Sequence, residues 1–239
     1  AYALTLTTFH KFVAPSFSAA LITTAPTVVQ SCFAIANGLV FICENTNTSV
    51  SLSNFTISRY NLATLPSAST GSTVSLAANF ATDIKPFVDG AFVAVVASDA
   101  SATPIDVFRV MNTLTMSFVS SISIPNTFSG LATDYQAGIV RHPTENIFYV
   151  ASTSTDNSTI VISSLSVNTS GTSITLHKQL FLQNKTVTPP PTFKEFPLRL
   201  RPTYRNGVIQ LVYASNNIDT SYLATILVDQ NNPTSLTLI

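Results

Sequence analysis

Residues 32–43 read Cys-Phe-Ala-Ile-Ala-Asn-Gly-Leu-Val-Phe-Ile-Cys. An Asn-Gly pair between two apolar runs is the strongest short-range signal for a two-residue β-hairpin, because both turn positions require positive φ. With Asn37-Gly38 as the turn, Ala36 faces Leu39, and counting outward sets Cys32 directly opposite Cys43. Cross-strand neighbours lie about 5.5 Å apart or less at Cα, within disulfide range. The count places the cysteines at a hydrogen-bonded pair, the less comfortable geometry for a bridge. The expectation is a Cys32–Cys43 disulfide made in an oxidising compartment, with two buried thiols as the alternative.

Working outward, the same signal recurs. Asn37-Gly38, Asp89-Gly90, Glu145-Asn146 and Asn206-Gly207 are turn-like pairs spaced 52, 56 and 61 residues apart. Each precedes an apolar run: Leu39 to Cys43, Phe92 to Ala97, Ile147 to Ala151 and Val208 to Ala214. Runs apolar on both faces read as strands buried between neighbouring sheets. A polar loop follows each run, then a third strand: Val50 to Ile57, Ile105 to Val110, Thr159 to Leu165 and Tyr222 to Val228. A fourth strand alternates hydroxyl and apolar residues, at Leu114 to Phe118, Ile174 to Leu176 and Leu236 to Leu238, with Leu62 to Leu65 a poorer copy. No stretch carries a helical period.

The reading is therefore all-β and β-propeller-like, with about four blades of four antiparallel strands plus an extra N-terminal strand. The units fall near residues 32–76, 77–126, 127–180 and 181–239, all within one repeat-built domain, and residues 1–31 hold the extra strand and a connector. That strand, around Leu4 and Leu6, has three possible places. It closes the ring beside the last blade, it belongs to a partial extra blade, or it pairs with an exposed edge of a neighbouring subunit. Ring closure is the favoured expectation of the three.

The run Ile147-Phe148-Tyr149-Val150-Ala151-Ser152, continued through Ile160 to Leu165, resembles the short-motif propeller repeats of microbial surface-layer proteins. The resemblance implies the architecture and a surface location. It carries no functional residue across.

Composition narrows the function. The 239 residues hold 11 Lys plus Arg and 11 Asp plus Glu, for no net charge, and only 9% of them are charged. Ordinary soluble domains carry about 25%. Nucleic-acid binding needs a basic face, which this scatter does not supply. No apolar run approaches the roughly 18 to 20 residues of a membrane-spanning helix. Ser and Thr number 62, and sequons start at Asn47, Asn54, Asn157, Asn168 and Asn184. Together these point to an extracellular, secreted or cell-surface, glycoprotein bearing N-linked glycans. The chain opens at Ala1 without Met, which fits a mature form after signal-peptide removal. Thr188 and Thr192 flank Pro189-Pro190-Pro191, a stiff polyproline II segment where O-glycosylation is a further expectation.

Candidates for chemistry are few. Asp89, Asp134 and Glu145 are the only carboxylates placed near a central funnel, and turn service is the simpler role for Asp89 and Glu145. Asp99 and Asp106 flank a loop with too few oxygens for calcium. With 7 Gly, a cofactor-cradling loop is not expected, and neither a metal nor a cofactor is foreseen. The expectation is a non-enzymatic structural or interaction protein that assembles with copies of itself into a surface layer or filament through strand pairing. A ligand-binding propeller holding a sugar or peptide is the alternative. A glycoside-processing enzyme ranks third.

Overall fold

The computed structural model of the chain describes residues 2–4, 8–13, 18–24, 30–46, 54–62, 73–76, 79–99, 105–128, 135–154, 160–182, 198–200, 202–215 and 220–239. Every regular element among them is a strand. Sheet 1 holds β1 (Tyr2–Leu4), β2 (Thr8–Val13) and β3 (Ser18–Thr24). Sheet 2 holds β4 (Gln30–Ala36), β5 (Leu39–Thr46), β6 (Asn54–Asn61) and β7 (Thr73–Leu76). Sheet 3 runs through β8 (Asn79–Pro86), β9 (Phe92–Asp99), β10 (Ile105–Asn112) and β11 (Phe118–Ser123). Two short strands follow, β12 (Thr127–Phe128) and β13 (Tyr135–Gln136). Sheet 4 is β14 (Gly138–Arg141), β15 (Ile147–Ser154), β16 (Ile160–Val167) and β17 (Ile174–Leu182), with β12 also pairing on β15. The strand β18 (Leu198–Arg199) runs parallel to β13. Sheet 5 closes the list with β19 (Thr203–Arg205), β20 (Val208–Ser215), β21 (Thr220–Val228) and β22 (Leu236–Leu238). All pairings within the five sheets are antiparallel, as short loops between successive strands require.

Each strand is sandwiched because side chains alternate between faces. On β9, Val93, Val95 and Ala97 pack with Cys43, Phe55 and Ile57 of sheet 2. Ala94 and Val96 point the other way, onto Ile139, Phe148 and Val150 of sheet 4. Tyr149, Ala151 and Ile162 of sheet 4 then meet Ile209, Leu211 and Ile226 of sheet 5. Among the described residues the core forms four clusters: one at each junction between successive four-stranded sheets, and a fourth on the other face of sheet 2 around Val40 and Ile42. Full burial of one such Val, Leu, Ile or Phe contributes about 1.5–3 kcal/mol.

The hairpins divide into two kinds. Asn37-Gly38 and Asn206-Gly207 are true two-residue turns, closing Ala36 onto Leu39 and Arg205 onto Val208, with all four turn residues at φ between 49° and 78°. Asp89-Gly90 and Glu145-Asn146 instead sit in four-residue turns, closed by Phe87 N donating to Phe92 O and His142 N to Ile147 O.

Two strand expectations need correction. Leu114 and Thr115 belong to a turn, and the fourth strand of sheet 3 is Phe118–Ser123. The cause is Asn112, whose Oδ1 accepts hydrogen bonds from Leu114 N (2.9 Å) and Thr115 N (3.0 Å). An Asn side chain bonding backbone two and three residues on competes with strand pairing. The fourth strand of sheet 2 is Thr73–Leu76, later than Leu62 to Leu65. The N-terminal strand also departs from ring closure. Leu4 pairs with Phe9 of β2, so β1 is the edge of a three-stranded sheet whose nearest neighbour is β4. That is the partial-blade arrangement.

Candidate functional site

The Cys32–Cys43 register is as counted, because a two-residue turn allows no slippage. Both side chains are buried, and the structure carries no bond between them.

The hairpin ends of the sheets carry side-chain links between neighbours. Asn37 Nδ2 donates to Asp89 O (2.9 Å), and Asn146 Oδ1 accepts from Val88 N (3.0 Å). Between the second and third of these hairpins lies a cleft of about 420 Å³ lined by Val88, Asp89, Glu145, Asn146, Asn168 and Thr169 among others. Two of the three sequence-named carboxylates therefore share one cleft, while Asp134 lies outside the described residues. Asp89 Oδ1 accepts from Ala91 N (2.9 Å), the turn service expected of it.

Beside that cleft, toward sheet 5, sits an aromatic group. Tyr149 and Tyr204 stack with ring centroids 5.9 Å apart and planes 3° from parallel. His142 meets Tyr204 edge-on at 5.2 Å. Burial lowers the His142 pKa, with Glu145 opposing, and raises that of the Tyr149 hydroxyl. Tyr149 thus stays a donor, to Pro233 O at 2.7 Å. His177 lies within β17, is exposed and hydrogen-bonds Ser166 Oγ at 2.7 Å.

Of the sequons, Asn168 is exposed in the turn between β16 and β17, where its Oδ1 accepts from Ser173 N (3.1 Å) and its Nδ2 donates to Thr172 Oγ1 (3.2 Å). Asn54 is the first residue of β6, opposite Thr46. Asn47, Asn157, Asn184, Thr188, Thr192 and Leu6 lie outside the described residues. Among the described residues no three His, Cys, Asp or Glu are grouped to hold a metal ion, and no helix is long and apolar enough to cross a membrane.

The feature that sequence reading missed is a face. Four residues beyond the start of each second strand stands an apolar residue with an apolar partner across the ladder. These pairs are Cys43–Ile57, Val96–Phe108, Ala151–Ile162 and Val212–Leu223. The first three are fully buried between sheets, whereas Val212 and Leu223 are 63% and 61% exposed. Leu227, on the same face, is exposed as well. Comparing the four repeats in register would have found the position, though not its exposure.

Several solved structures share this arrangement. A protein from Lactobacillus plantarum matches 97% of this chain over 63% of its own length, at 15% identity and a TM-score of 0.53. Hsv2 of Kluyveromyces lactis matches the whole chain over 71% of its own, at 14% identity and a TM-score of 0.53. The β-propeller domain of the Trilobed protease from Pyrococcus furiosus matches 87% of this chain over 56% of its own, at 10% identity and a TM-score of 0.49. The fold is β-propeller-like. At these identities the likeness is one of fold alone, and the chain spans less than two thirds of the Lactobacillus plantarum protein. No protein-family model matches the chain, and no curated protein sequence does.

Proposed function

We propose that this chain is a non-enzymatic extracellular glycoprotein that assembles with copies of itself into a filament or surface layer. The observation carrying the reading is the open face of sheet 5, where Val212 and Leu223 occupy positions that are buried at every earlier junction and Leu227 is exposed beside them. An exposed apolar face flanked by polar residues is characteristic of an interface. The low charge supports the same reading, since little like-charge repulsion opposes close packing of copies. Glycans on the exposed Asn168 turn would keep the remaining surface soluble.

Light scattering and electron microscopy of the purified chain beside Leu223→Asp test it. The parent is expected to form fibres or large particles, and Leu223→Asp to remain a folded monomer. A parent that stays monomeric at high concentration, or a variant that assembles equally well, overturns the reading.

The oxidising compartment has its own test. Non-reducing mass spectrometry is expected to find Cys32 joined to Cys43. In the chain-entropy account a loop of this length adds about 3 kcal/mol, so reduction should lower Tm by roughly 6–12 °C. Two alkylatable thiols in the unreduced, unfolded protein would remove that part of the proposal.

A second reading rests on the hairpin cleft, whose Asp89, Glu145, Asn146 and Asn168 offer polar groups to a sugar or peptide.

A further inference from the structure

We propose that Asn206-Gly207 is a self-modification site, where the main chain converts Asn206 to aspartate and isoaspartate and so limits the lifetime of the first hairpin of sheet 5. It is independent of self-assembly and needs no second copy.

The chain holds two Asn-Gly pairs, Asn37-Gly38 and Asn206-Gly207. Such a pair sets an electrophile beside a nucleophile. The glycine nitrogen attacks Cγ of the asparagine, a C–N bond closes a five-membered succinimide, and the Cγ–Nδ2 bond breaks with loss of ammonia. Water then opens the ring at either carbonyl, leaving aspartate or isoaspartate. Water is the only co-reactant, and glycine has no side chain to obstruct the approach.

The two pairs occupy the same turn. Asn37 and Asn206 have φ of 49° and 51°, and their glycines 74° and 78°. Gly38 O accepts from Leu62 N at 2.9 Å, and Gly207 O from Val228 N at 2.8 Å. Both asparagines are exposed. Any restraint that the turn puts on ring closure is therefore common to both. What differs is how the side chain and the hairpin are held.

Asn37 is held twice. Side chains tie one sheet to the next through main-chain carbonyls: Arg59 Nη1 donates to Thr113 O (2.8 Å), Ser164 Oγ to Thr234 O (2.7 Å) and Asn37 Nδ2 to Asp89 O (2.9 Å). The Asn37 amide also lies against Gly90, where a Cβ would come within 2.7 Å of Nδ2. To offer Cγ to Gly38 N, that amide must leave Asp89. Its hairpin is long as well, paired from Ala36–Leu39 out to Gln30–Asn45.

Asn206 has neither support. Its amide makes no hydrogen bond among the described residues. The pairing of β19 with β20 already ends at Thr203–Gln210, and a hairpin with so little ladder opens locally at low cost. Burial raises the pKa of the Tyr204 hydroxyl and the Gly207 N–H opposes that rise, so the proton shed on ring closure has an oxygen beside it. Isoaspartate then carries the main chain through Cβ and adds an atom to a two-residue turn. Arg205 can no longer face Val208, and Tyr204 leaves its stack on Tyr149.

Folded protein held at mildly alkaline pH and mapped by mass spectrometry tests this. Asn206 is expected to react at least about tenfold faster than Asn37, since one ordinary hydrogen bond alone accounts for about fivefold. In urea the two rates should converge, because both pairs then lie in open chain. Asn206→Gly, which tolerates the same φ, should hold its melting temperature through an incubation in which the parent's falls. Equal rates in the folded protein, or reaction at Asn37 first, overturn the proposal. So does a gap of the same size in urea, which would place the cause in the flanking residues. A parent that converts at Asn206 yet melts as Asn206→Gly does overturns the claim on the hairpin.

Discussion

Gly138→Ala is expected to destabilise the protein by at least about 3 kcal/mol, the upper range for forcing extra atoms into packed structure. Gly138 opens β14 opposite Ala151, at the junction of sheets 4 and 5. A Cβ built there would overlap the Leu200 carbonyl oxygen and come within 2.8 Å of Pro202 Cδ. The obstacle is backbone, so no rotamer change relieves it; either β14 or the chain at Leu200 must move. Gly38 is the control, since a Cβ at that position meets nothing within 4 Å. Its φ of +74° alone makes Gly38→Ala cost about 1–2 kcal/mol. Urea unfolding of both variants gives the comparison. A Gly138→Ala protein as stable as Gly38→Ala would mean that sheets 4 and 5 do not pack this closely.

Asp83→Ala is expected to cost about 3 kcal/mol. The Asp83 side chain is 3% exposed, and its Oδ1 accepts from Ile84 N and Lys85 Nζ, both at 2.9 Å. Its Oδ2 accepts from Ile139 N at 3.1 Å, across the gap between the innermost strands of sheets 3 and 4. Removing the carboxylate strands a buried main-chain donor on each side of that gap, and each orphan costs about 1–3 kcal/mol. Lys85 is 31% exposed and regains water, so its loss adds little. Asp83→Asn keeps one acceptor and should recover roughly half the loss by the same reasoning. The order parent, Asn, Ala in urea midpoints is the expected result. Equal midpoints for all three would show that the carboxylate does not tie the sheets together.

The fold was legible where local chemistry and packing agree. Asn37-Gly38 admits one hairpin register, and that register set every partner in β4 and β5. The runs at Phe92 and Ile147 are apolar at each position because both faces are covered. Legibility failed where a side chain overrode the pattern. Leu114-Thr115-Met116-Ser117-Phe118 alternates like a strand, yet Asn112 caps its first residues and Met116 takes a φ of 55°. Asp83 reads as a solvent-facing residue in Thr-Asp-Ile-Lys, since its partner at Ile139 lies 56 residues away. The inter-sheet donors Arg59 and Ser164 escaped notice for the same reason: their acceptors are carbonyls, to which sequence is blind. The open face was hidden too, because Val212 and Leu223 look like any buried pair.

The core clusters between sheets have a consequence for how the molecule comes apart. Because each of these three clusters is shared by two successive sheets, sheets 2 to 5 are held together by neighbours and not by a common centre. Such an array behaves as a nearest-neighbour chain, in which an end unit has one partner and an inner unit two. Sheet 5, with one face open, is the unit that should let go first on heating, leaving sheets 2 to 4 standing as a smaller cooperative block. Seating a second copy on that face would turn an end unit into an inner one, so assembly would raise the melting point of the subunit itself.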